Sequence, residues 1–326
     1  MSNAERSGLS VVVSRTWALS LTAAGGWALH WLVVAALVAT FFPLAAQAAP
    51  LLDRVVLNAP EAPAVAAPAA GPAATSAPVA PAPAGEPAAT TPAVPAKAEE
   101  PLWPTVSLDT SFFSKYVWRG LVLTDGPVWQ PSVTAEWQGL SLNVWGNLDF
   151  DDVNHLSGEF NEVDWTLGYE HQIVGPLSGS LGLIVYEFPN TAFKTTTEIT
   201  TGLALDVPLA PSLTAYFDVD QTDGVYLLAE VAHSIELPKF AENVTAAVDL
   251  GAGLGWGSAK NNASYFGVKS AAVTDYYLSV GLPIAIGDHL TITPSVKYTS
   301  IVNGNLREGV LSDDNVVYGI SLTWSF

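Results

Sequence analysis

Apolar and polar residues alternate with a period of two along most of the chain from residue 103 onward. In the segment LSLNVWGNLDF, Leu140, Leu142 and Val144 alternate with Ser141 and Asn143. Because successive side chains of a β-strand point to opposite faces, this pattern predicts strands that are apolar on one face and polar on the other. Twelve strands are predicted, at residues 105–118, 129–137, 139–151, 161–172, 177–187, 195–207, 212–221, 224–236, 243–257, 271–284, 289–300 and 315–326.

The length of these segments indicates strands that cross a lipid bilayer. Strands of globular proteins average about 5–6 residues, whereas a tilted membrane-spanning strand needs about 9–11. Connections alternate between long polar segments, such as DDVNHLSGEFN, and short ones, such as QG, which is typical of outer-membrane barrels. Backbone groups in a bilayer must be satisfied within the protein, and a sheet achieves this only by closing on itself. The sequence therefore predicts an all-β fold, a transmembrane antiparallel up-and-down β-barrel of about twelve strands.

A soluble all-β sandwich or lipocalin-like barrel is the alternative fold, in which the apolar faces would fill a core. Two features favour the membrane barrel. Aromatic residues such as Trp118, Trp137, Trp165 and Tyr298 lie near the predicted strand ends, as interfacial girdles do. The polar faces are also rich in acids and hydroxyls but poor in lysine, unlike the solvent side of a sandwich. We therefore expect outer-membrane lipid around the barrel.

The N-terminal segment resembles an export signal in its composition. Arg6 and Arg15 precede an apolar stretch that ends on Ala46, Gln47 and Ala48, the small-x-small pattern of a signal-peptidase site. A cleaved signal peptide is predicted, and the alternative is an uncleaved membrane helix. Either interpretation places the rest of the chain outside the cytoplasm.

The chain is therefore divided into three parts. Residues 1–48 form the predicted signal peptide. Residues 49–101 are mostly Ala and Pro, and frequent Pro favours extended polyproline conformations, so a disordered periplasmic linker is predicted. Residues 102–326 form the predicted outer-membrane barrel.

Composition excludes several classes of function. The chain has 326 residues and a formal charge of -19, which argues against nucleic acid as a partner because phosphate binding needs clustered Lys and Arg. There is no cysteine, so thiolate metal sites and cysteine nucleophiles are absent. Only 13% of the residues are charged, which is low for a soluble protein.

The polar faces carry an excess of acids that we expect to point into the lumen. Crowded carboxylates would be costly to bury dry, so water, counter-ions or cationic solutes are expected inside. The predicted lumen-lining residues are Asp109, Lys115, Glu136, Asp149, Asp164, Glu170, Glu198, Asp218, Glu230, Asp249, Asp275 and Lys297. The register of the fifth strand is left open, because glycines and apolar residues occur on both of its faces.

An acidic wet bore would attract cations and exclude anions. The sequence therefore predicts a passive channel that prefers small cationic or neutral solutes. A twelve-stranded barrel lies between small barrels, which are filled by side chains, and porins, which leave an aqueous channel. The alternative is consequently a closed structural or surface-interaction barrel without flux.

A loop metal site is a separate hypothesis. Five carboxylates cluster in sequence around the second long loop, and hard oxygen ligands of this kind suit calcium or magnesium. The candidate ligands are Asp149, Asp151, Asp152, Glu159 and Glu162. Their spacing differs from that of an EF-hand loop, so a solvated acidic loop is the alternative to a bound Ca²⁺.

A barrel-embedded hydrolase is the less favoured class of function. His233 directly precedes Ser234. Adjacent strand residues point to opposite faces, so these two cannot act together as base and nucleophile. We predict that the chain is not an enzyme.

Two segments carry a resemblance to known proteins. The last strand alternates outward apolar residues and ends on an aromatic residue, at Tyr318, Ile320, Leu322, Trp324 and Phe326. It resembles the C-terminal recognition signal of bacterial outer-membrane barrels, which implies the barrel-assembly machinery as a partner.

The segment SKYVWRG, Ser114 to Gly120, resembles the S-x-Y-V-W-R-G segment that opens the barrel in a family of proteobacterial-type outer-membrane barrels. That family has no established activity. The resemblance covers mainly the first hairpin, and it implies location in the outer membrane rather than a function.

Overall fold

The structure is a computed structural model that describes residues 103–239 and 241–326. The predicted signal peptide and linker lie outside these residues and stay predictions. The strands are β1 (Thr105–Phe113), β2 (Tyr116–Trp118), β3 (Leu121–Thr124), β4 (Val128–Trp137), β5 (Leu140–Asp149), β6 (Phe160–Val174), β7 (Leu177–Glu187), β8 (Thr196–Leu205), β9 (Ser212–Asp218), β10 (Val225–Glu236), β11 (Val244–Gly257), β12 (Ala272–Gly281), β13 (Ile284–Ile286), β14 (Leu290–Ile301) and β15 (Asp314–Ser325). The helices are α1 (Ala259–Phe266) and α2 (Gly304–Arg307).

Thirteen of these strands form one antiparallel sheet that closes on itself. The seam is formed by β1 and β15, which pair from Ser107↔Ser325 to Phe113↔Gly319. β13 follows β12 after a short break and pairs with the same neighbours, β11 and β14, so twelve strands surround the lumen. The prediction of a closed twelve-stranded antiparallel barrel is confirmed.

The two ends of the barrel have different connections. At the turn end, short segments such as 138–139 and 175–176 join neighbouring strands. At the loop end, the connections include both helices and a hairpin of β2 and β3, which pair only with each other. Within the described ranges, neither helix has the length and apolar character needed to cross a bilayer.

The wall places apolar side chains outside and polar side chains inside. Leu181 and Leu278 face outward and are 62% and 54% exposed, whereas Asn147 and Glu198 face inward and are 0% and 2% exposed. A soluble barrel would show the reverse, because its apolar side chains would fill the interior. The sandwich and lipocalin-like alternatives are therefore not adopted.

The structure also determines the register of β7, which the sequence leaves open. Leu181 and Leu183 are exposed on the outside, and Tyr186 is buried in the lumen. Glu187 pairs with Val163 and shares its outward face.

The first predicted strand, 105–118, is too long. β1 ends at Phe113, and the residues from Tyr116 belong to the separate β2–β3 hairpin. A strand of an internal hairpin has the same period-two pattern as a strand of the wall, so the pattern alone does not show where the wall strand stops.

Candidate functional site

Residues 114–127 connect β1 to β4 and fold into the lumen; we call this segment the inner hairpin. Its two-residue turn consists of Arg119 and Gly120, with φ values of 43° and 80°. Consecutive positive φ values are typical of two-residue hairpin turns. Glycine adopts them freely, but at a residue with a Cβ they cost on the order of 1 kcal/mol. The strained turn places the Arg119 side chain against the opposite part of the wall.

The turn fits its position only with glycine at residue 120. A Cβ there would lie 2.9 Å from the Cβ of Asp275 and would overlap the side chain of Ile301. Both the backbone conformation and the close approach to β12 and β14 therefore require Gly120.

Arg119 forms a buried bidentate ion pair with Glu198 of β8. Nη1 donates to Oε1 at 3.1 Å and Nη2 donates to Oε2 at 3.0 Å, while the Tyr186 hydroxyl donates to Oε2 at 2.7 Å. Both charged side chains are 3% exposed. Burial is the largest single effect and lowers the pKa of Arg119, but the charge and hydrogen bonds of Glu198 together with Tyr186 and Tyr226 outweigh burial and hold that pKa above its usual range. The guanidinium therefore stays charged.

Three aromatic rings complete the surroundings of the guanidinium; together with Glu198 we call them the guanidinium site. The Arg119 Cζ lies 4.2 Å from the ring centroid of Trp118, 4.5 Å from that of Tyr216 and 4.2 Å from that of Tyr226. Ring faces attract cations, and the planar guanidinium can stack on them while its edge hydrogen-bonds to a carboxylate.

A glycine in the wall makes room for one of these rings. At Gly255 of β11, a Cβ would overlap the hydroxyl of Tyr226 and the carboxylate of Asp275. The Tyr226 hydroxyl donates to Asp275 Oδ1 at 3.1 Å. The missing side chain therefore allows the ring to lie close to the wall beneath the guanidinium.

Further contacts fix the rest of the inner hairpin. The Tyr116 hydroxyl donates to Glu162 at 2.9 Å, and the Thr124 hydroxyl donates to Asp149 at 2.9 Å. Burial, followed by the Glu162 carboxylate, raises the pKa of the Tyr116 hydroxyl well above its usual range, so this group remains a donor.

Aromatic packing adds to these hydrogen bonds. The Tyr116 ring lies 5.7 Å from Trp145 of β5, and the Trp118 ring lies 5.2 Å from Tyr265 of α1. Helix α1 begins after Ser258, whose side chain accepts a hydrogen bond from the Asn261 amide. The hairpin is thus held by the wall on one side and by a loop helix on the other.

The inner hairpin fills the half of the lumen nearest the loops, which we call the loop-end half. Inward side chains from most of the wall strands are less than 10% exposed at this level. They include Trp145, Asn147, Asp149, Glu162, Asp164, Tyr186, Thr196, Glu198, Asp218, Tyr226, Thr274, Asp275, Thr299, Ile301 and Asn315. The gap that remains between the hairpin and α1 is too narrow for a water molecule.

The loop-end half has far more buried acids than bases. Arg119 is the one buried base in the described part of the chain. The buried carboxylates, each at most 6% exposed, are Asp149, Glu162, Asp164, Glu198, Asp218 and Asp275.

These carboxylates differ in how well they are satisfied. Asp218 accepts from the Thr196 hydroxyl at 2.9 Å and from two backbone amides at 3.0 and 2.9 Å. In contrast, Glu162 Oε1 and Asp164 Oδ1 are buried without a hydrogen-bond partner among the described residues. A buried polar atom without a partner carries its full desolvation penalty.

The half of the lumen nearest the turns, the turn-end half, is open. Glu136 and Glu170 are exposed, and Asp109 and Asp249 are half-buried. The Thr323 hydroxyl donates to Asp109 at 2.5 Å across the β1–β15 seam. This level therefore forms a cup lined by carboxylates.

A tyrosine links an acid and a base between the two halves. The Tyr277 hydroxyl donates to Glu230, and the Lys297 ammonium lies 4.9 Å from the centroid of the Tyr277 ring. Lys297 is consequently placed at the boundary rather than within the cup.

The structure places eleven of the twelve predicted lumen residues on the inward face of wall strands, at the positions described above for both halves. Lys115 is the exception, because it belongs to the inner hairpin. Its ammonium pairs with Asp125 at 2.6 Å.

The predicted calcium ligands are not brought together. Asp149 and Glu162 point into the lumen, where they bind hydroxyl groups of the inner hairpin. Asp152 and Glu159 are exposed in the loop, with Asp151 half-buried. Within the described ranges, no three acidic or histidine side chains are close enough to share an ion. Asp149 and Glu162 lie on β5 and β6, whereas the other three candidates lie in the loop between these strands, so the five side chains do not converge.

The residues of the predicted assembly signal lie on β15 and at its end. Tyr318, Ile320 and Trp324 are 63%, 39% and 44% exposed on the outer face, and Leu322 is half-buried. The amide of Phe326 donates to the carbonyl of Val106 at 2.9 Å, so the terminal residue continues the pairing of the seam.

Sequence reasoning missed the role of Arg119, Tyr216 and Tyr226. The segment SKYVWRG carries a resemblance to a barrel family, but a strand pattern does not reveal that a hairpin turns inward. Helix α1 had a local signal, because Ser258 precedes it and Gly267 follows it with φ 71°, the residue types that begin and end helices.

Comparisons with known proteins gave similar folds among solved structures. No family model matches the chain, and no curated protein matches it. The KdgM porin is 13% identical with a TM-score of 0.43, and the alignment covers 68% of this chain and 99% of that one. The NanC porin is 13% identical with a TM-score of 0.43, covering 67% and 98%. A bacterial polysaccharide outer membrane secretin is 10% identical with a TM-score of 0.40, covering 68% and 98%.

Proposed function

We propose that the protein is an outer-membrane channel for small cationic or neutral solutes, and that the inner hairpin must move before solute can pass. The observation that carries this proposal is the lumen itself. A cup lined with carboxylates is open at the turn end and leads to a layer of buried acids closed by the hairpin.

Location in a membrane is supported by the outer face of the barrel. Leucine and aromatic side chains such as Leu142, Leu203 and Tyr318 are exposed there, at 50%, 52% and 63%. Exposed apolar surface of this extent is costly in water but favourable in hydrocarbon. An export signal at 1–48, a periplasmic linker at 49–101 and delivery by the barrel-assembly machinery complete the proposal.

The preference for cations is supported by the charges along the lumen. The cup is lined by Glu136, Glu170, Asp109 and Asp249. Among the wall strands that the structure describes, Lys297 is the one base that faces inward. Fixed negative charges around a wet passage raise the local concentration of cations and lower that of anions.

The filled loop-end half favours a second candidate, a closed barrel without flux. The inner hairpin occupies this level with an ion pair, aromatic rings and hydrogen bonds, and it leaves no gap the size of a water molecule beside α1. The channel function therefore depends on displacement of the hairpin, whereas the closed barrel does not.

Planar-bilayer recording separates the two candidates. We expect small or intermittent currents from the wild-type protein and larger, steady currents from a variant in which residues 116–124 are replaced by a short Gly-Ser link. In a KCl gradient, the reversal potential should indicate K⁺ over Cl⁻, and Glu136→Gln with Glu170→Gln should reduce that preference.

A variant with the exposed turn-end residues 237–239 replaced serves as the control and should behave as the wild type. Absence of current from both the wild type and the hairpin-replaced variant would exclude the channel and leave the closed barrel. An anion preference would exclude the proposed solute class.

A further inference from the structure

We infer that the guanidinium site in the lumen is a binding site for alkylguanidinium solutes, and that Arg119 is an internal occupant that such a solute replaces when the inner hairpin withdraws. This inference deepens the proposed channel function by naming a solute class, and it rests on that proposal for its biological role. The binding site itself can be tested without any measurement of flux.

The first step of the argument is where the parts of the site come from. Glu198, Tyr216 and Tyr226 belong to the wall strands β8 to β10, and Tyr186, which donates a hydrogen bond to Glu198, belongs to β7. Only Arg119 and Trp118 belong to the hairpin. When the hairpin leaves, the carboxylate and two of the three aromatic rings around the guanidinium stay in place on a closed sheet.

The second step is charge. Within the described residues, Arg119 is the one base among the buried carboxylates of the loop-end half. Its departure would leave Glu198, Asp164 and Asp275 at one level with no buried cation to offset them. Water could then reach these carboxylates, but like charges at one level still repel one another and attract cations, so the vacated site favours entry of a cation.

The third step is shape. Both oxygens of Glu198 accept from the two Nη atoms at 3.1 and 3.0 Å, which is the parallel two-point pairing that a guanidinium forms and an ammonium does not. The distances of 4.5 and 4.2 Å from Cζ to the Tyr216 and Tyr226 ring centroids fit a flat cation held against aromatic faces. The site therefore selects a planar guanidinium over a compact ammonium of equal charge.

The fourth step is the strained turn. Arg119 holds its side chain in place from a backbone with φ 43°, a conformation that costs free energy at any residue with a Cβ. A free solute meets the same carboxylate and rings without that strain. A solute at sufficient concentration can therefore compete with the hairpin for the site.

Chemical rescue tests the site directly. The full chain carrying Arg119→Ala, refolded in detergent, is titrated with ethylguanidinium or with ethylammonium at equal ionic strength and at millimolar concentrations, well below those that denature proteins. We expect ethylguanidinium to raise the melting temperature by roughly 2–4 °C near a fivefold excess over its dissociation constant. Ethylammonium should produce a clearly smaller shift. The wild-type protein, in which Arg119 occupies the site, should shift less than the variant when ethylguanidinium is added.

The matched control is Arg307→Ala. Arg307 also pairs with an aspartate, Asp313 at 3.1 Å, but the two side chains are 41% and 39% exposed on the loop surface. No selective rescue is expected there. In the double variant Arg119→Ala with Glu198→Gln, the rescue should be lost.

A second measurement covers the case in which Arg119→Ala does not fold. Calorimetric titration of the variant with residues 116–124 replaced should show binding of ethylguanidinium that is at least several-fold tighter than binding of ethylammonium. Equal responses to the two cations in both experiments would overturn the guanidinium site. Selective binding without current would retain the site and exclude the channel, whereas current without selective binding would retain the channel and exclude this solute class.

Discussion

The two halves of the lumen use the same acidic residue types in opposite environments. In the turn-end half, Glu136 and Glu170 are exposed, and each carboxylate keeps its hydration. In the loop-end half, Glu198 and Asp218 are 2% and 6% exposed and depend on protein donors. A carboxylate in the cup therefore contributes charge to the passage, whereas one in the loop-end half contributes to stability or reduces it, according to its partners.

The inner hairpin is the cause of this difference. The wall strands continue through both halves with the same alternation, and only the loop-end half receives a second layer of chain. Substitutions of the same chemical kind should consequently have different effects in the two halves. The following pairs of variants test this comparison.

The largest difference is expected between Glu198→Gln and Glu170→Gln. Loss of the Glu198 charge leaves Arg119 buried without its counter-ion, so we expect the free energy of unfolding to fall by about 3–5 kcal/mol. Glu170→Gln should change it by less than about 0.5 kcal/mol, because the side chain is exposed. Urea unfolding followed by tryptophan fluorescence measures both. Equal effects would mean that the hairpin does not close the loop-end half.

Two buried aspartates of the loop-end half should respond with opposite sign. Asp218→Asn replaces an oxygen that accepts hydrogen bonds and should lower the free energy of unfolding by about 1.5–3 kcal/mol. Asp164→Asn removes a charge whose Oδ1 has no partner among the described residues and should raise it by about 1 kcal/mol. Thermal melts of the two variants side by side provide the measurement, and destabilisation by Asp164→Asn would contradict the prediction.

Adding a methyl group to the wall should distinguish the halves by packing alone. Gly255→Ala would overlap Tyr226 and Asp275 and should cost about 2 kcal/mol of unfolding free energy. Gly281→Ala at the turn end would meet its nearest atom at 3.6 Å and should be tolerated. Both variants can be compared by gel electrophoresis of samples heated to a series of temperatures. The quantity measured is the temperature at which the mobility of the folded protein is lost. If both variants melted alike, the tight packing around Tyr226 would be disproved.

The smallest effect concerns two tyrosines that each donate to a glutamate. Tyr116→Phe removes the donor to the buried Glu162 and should lower the free energy of unfolding by about 1.5 kcal/mol. Tyr277→Phe removes the donor to the less buried Glu230 and should have an effect of about 0.5 kcal/mol. Equilibrium unfolding in guanidinium chloride compares them, with a reversed order counting against the comparison.

Much of the barrel could be predicted from sequence because its wall follows one local rule. Alternation places Leu142 and Leu167 outside and Asp164 and Glu198 inside, and strand length with loop asymmetry indicates closure. These features depend on neighbours in sequence or on the bilayer, so a single chain contains the information.

The guanidinium site could not be predicted in this way. Arg119 lies 79 residues from Glu198 along the chain, and no periodicity connects them. The alternation predicts a first wall strand that extends to residue 118, because Tyr116 and Trp118 continue its pattern, although these two residues face the interior of the barrel from the hairpin. The predicted calcium site is wrong for the complementary reason, which is that residues close in sequence are not close in the structure. Asp149 ends β5 and points into the lumen, whereas Asp151 lies in the loop that follows.

The barrel closes only when β1 pairs with β15 at the seam. β1 is the earliest wall strand and β15 the latest, and until they pair, both edges of the sheet present unsatisfied backbone groups. β8, which holds the hairpin through the Arg119–Glu198 ion pair, precedes β15 along the chain. The contacts between the inner hairpin and β8 can therefore form while the seam is still open. A chain truncated before β15 would retain the hairpin inside the sheet, but it would have two unpaired sheet edges that can pair with other chains.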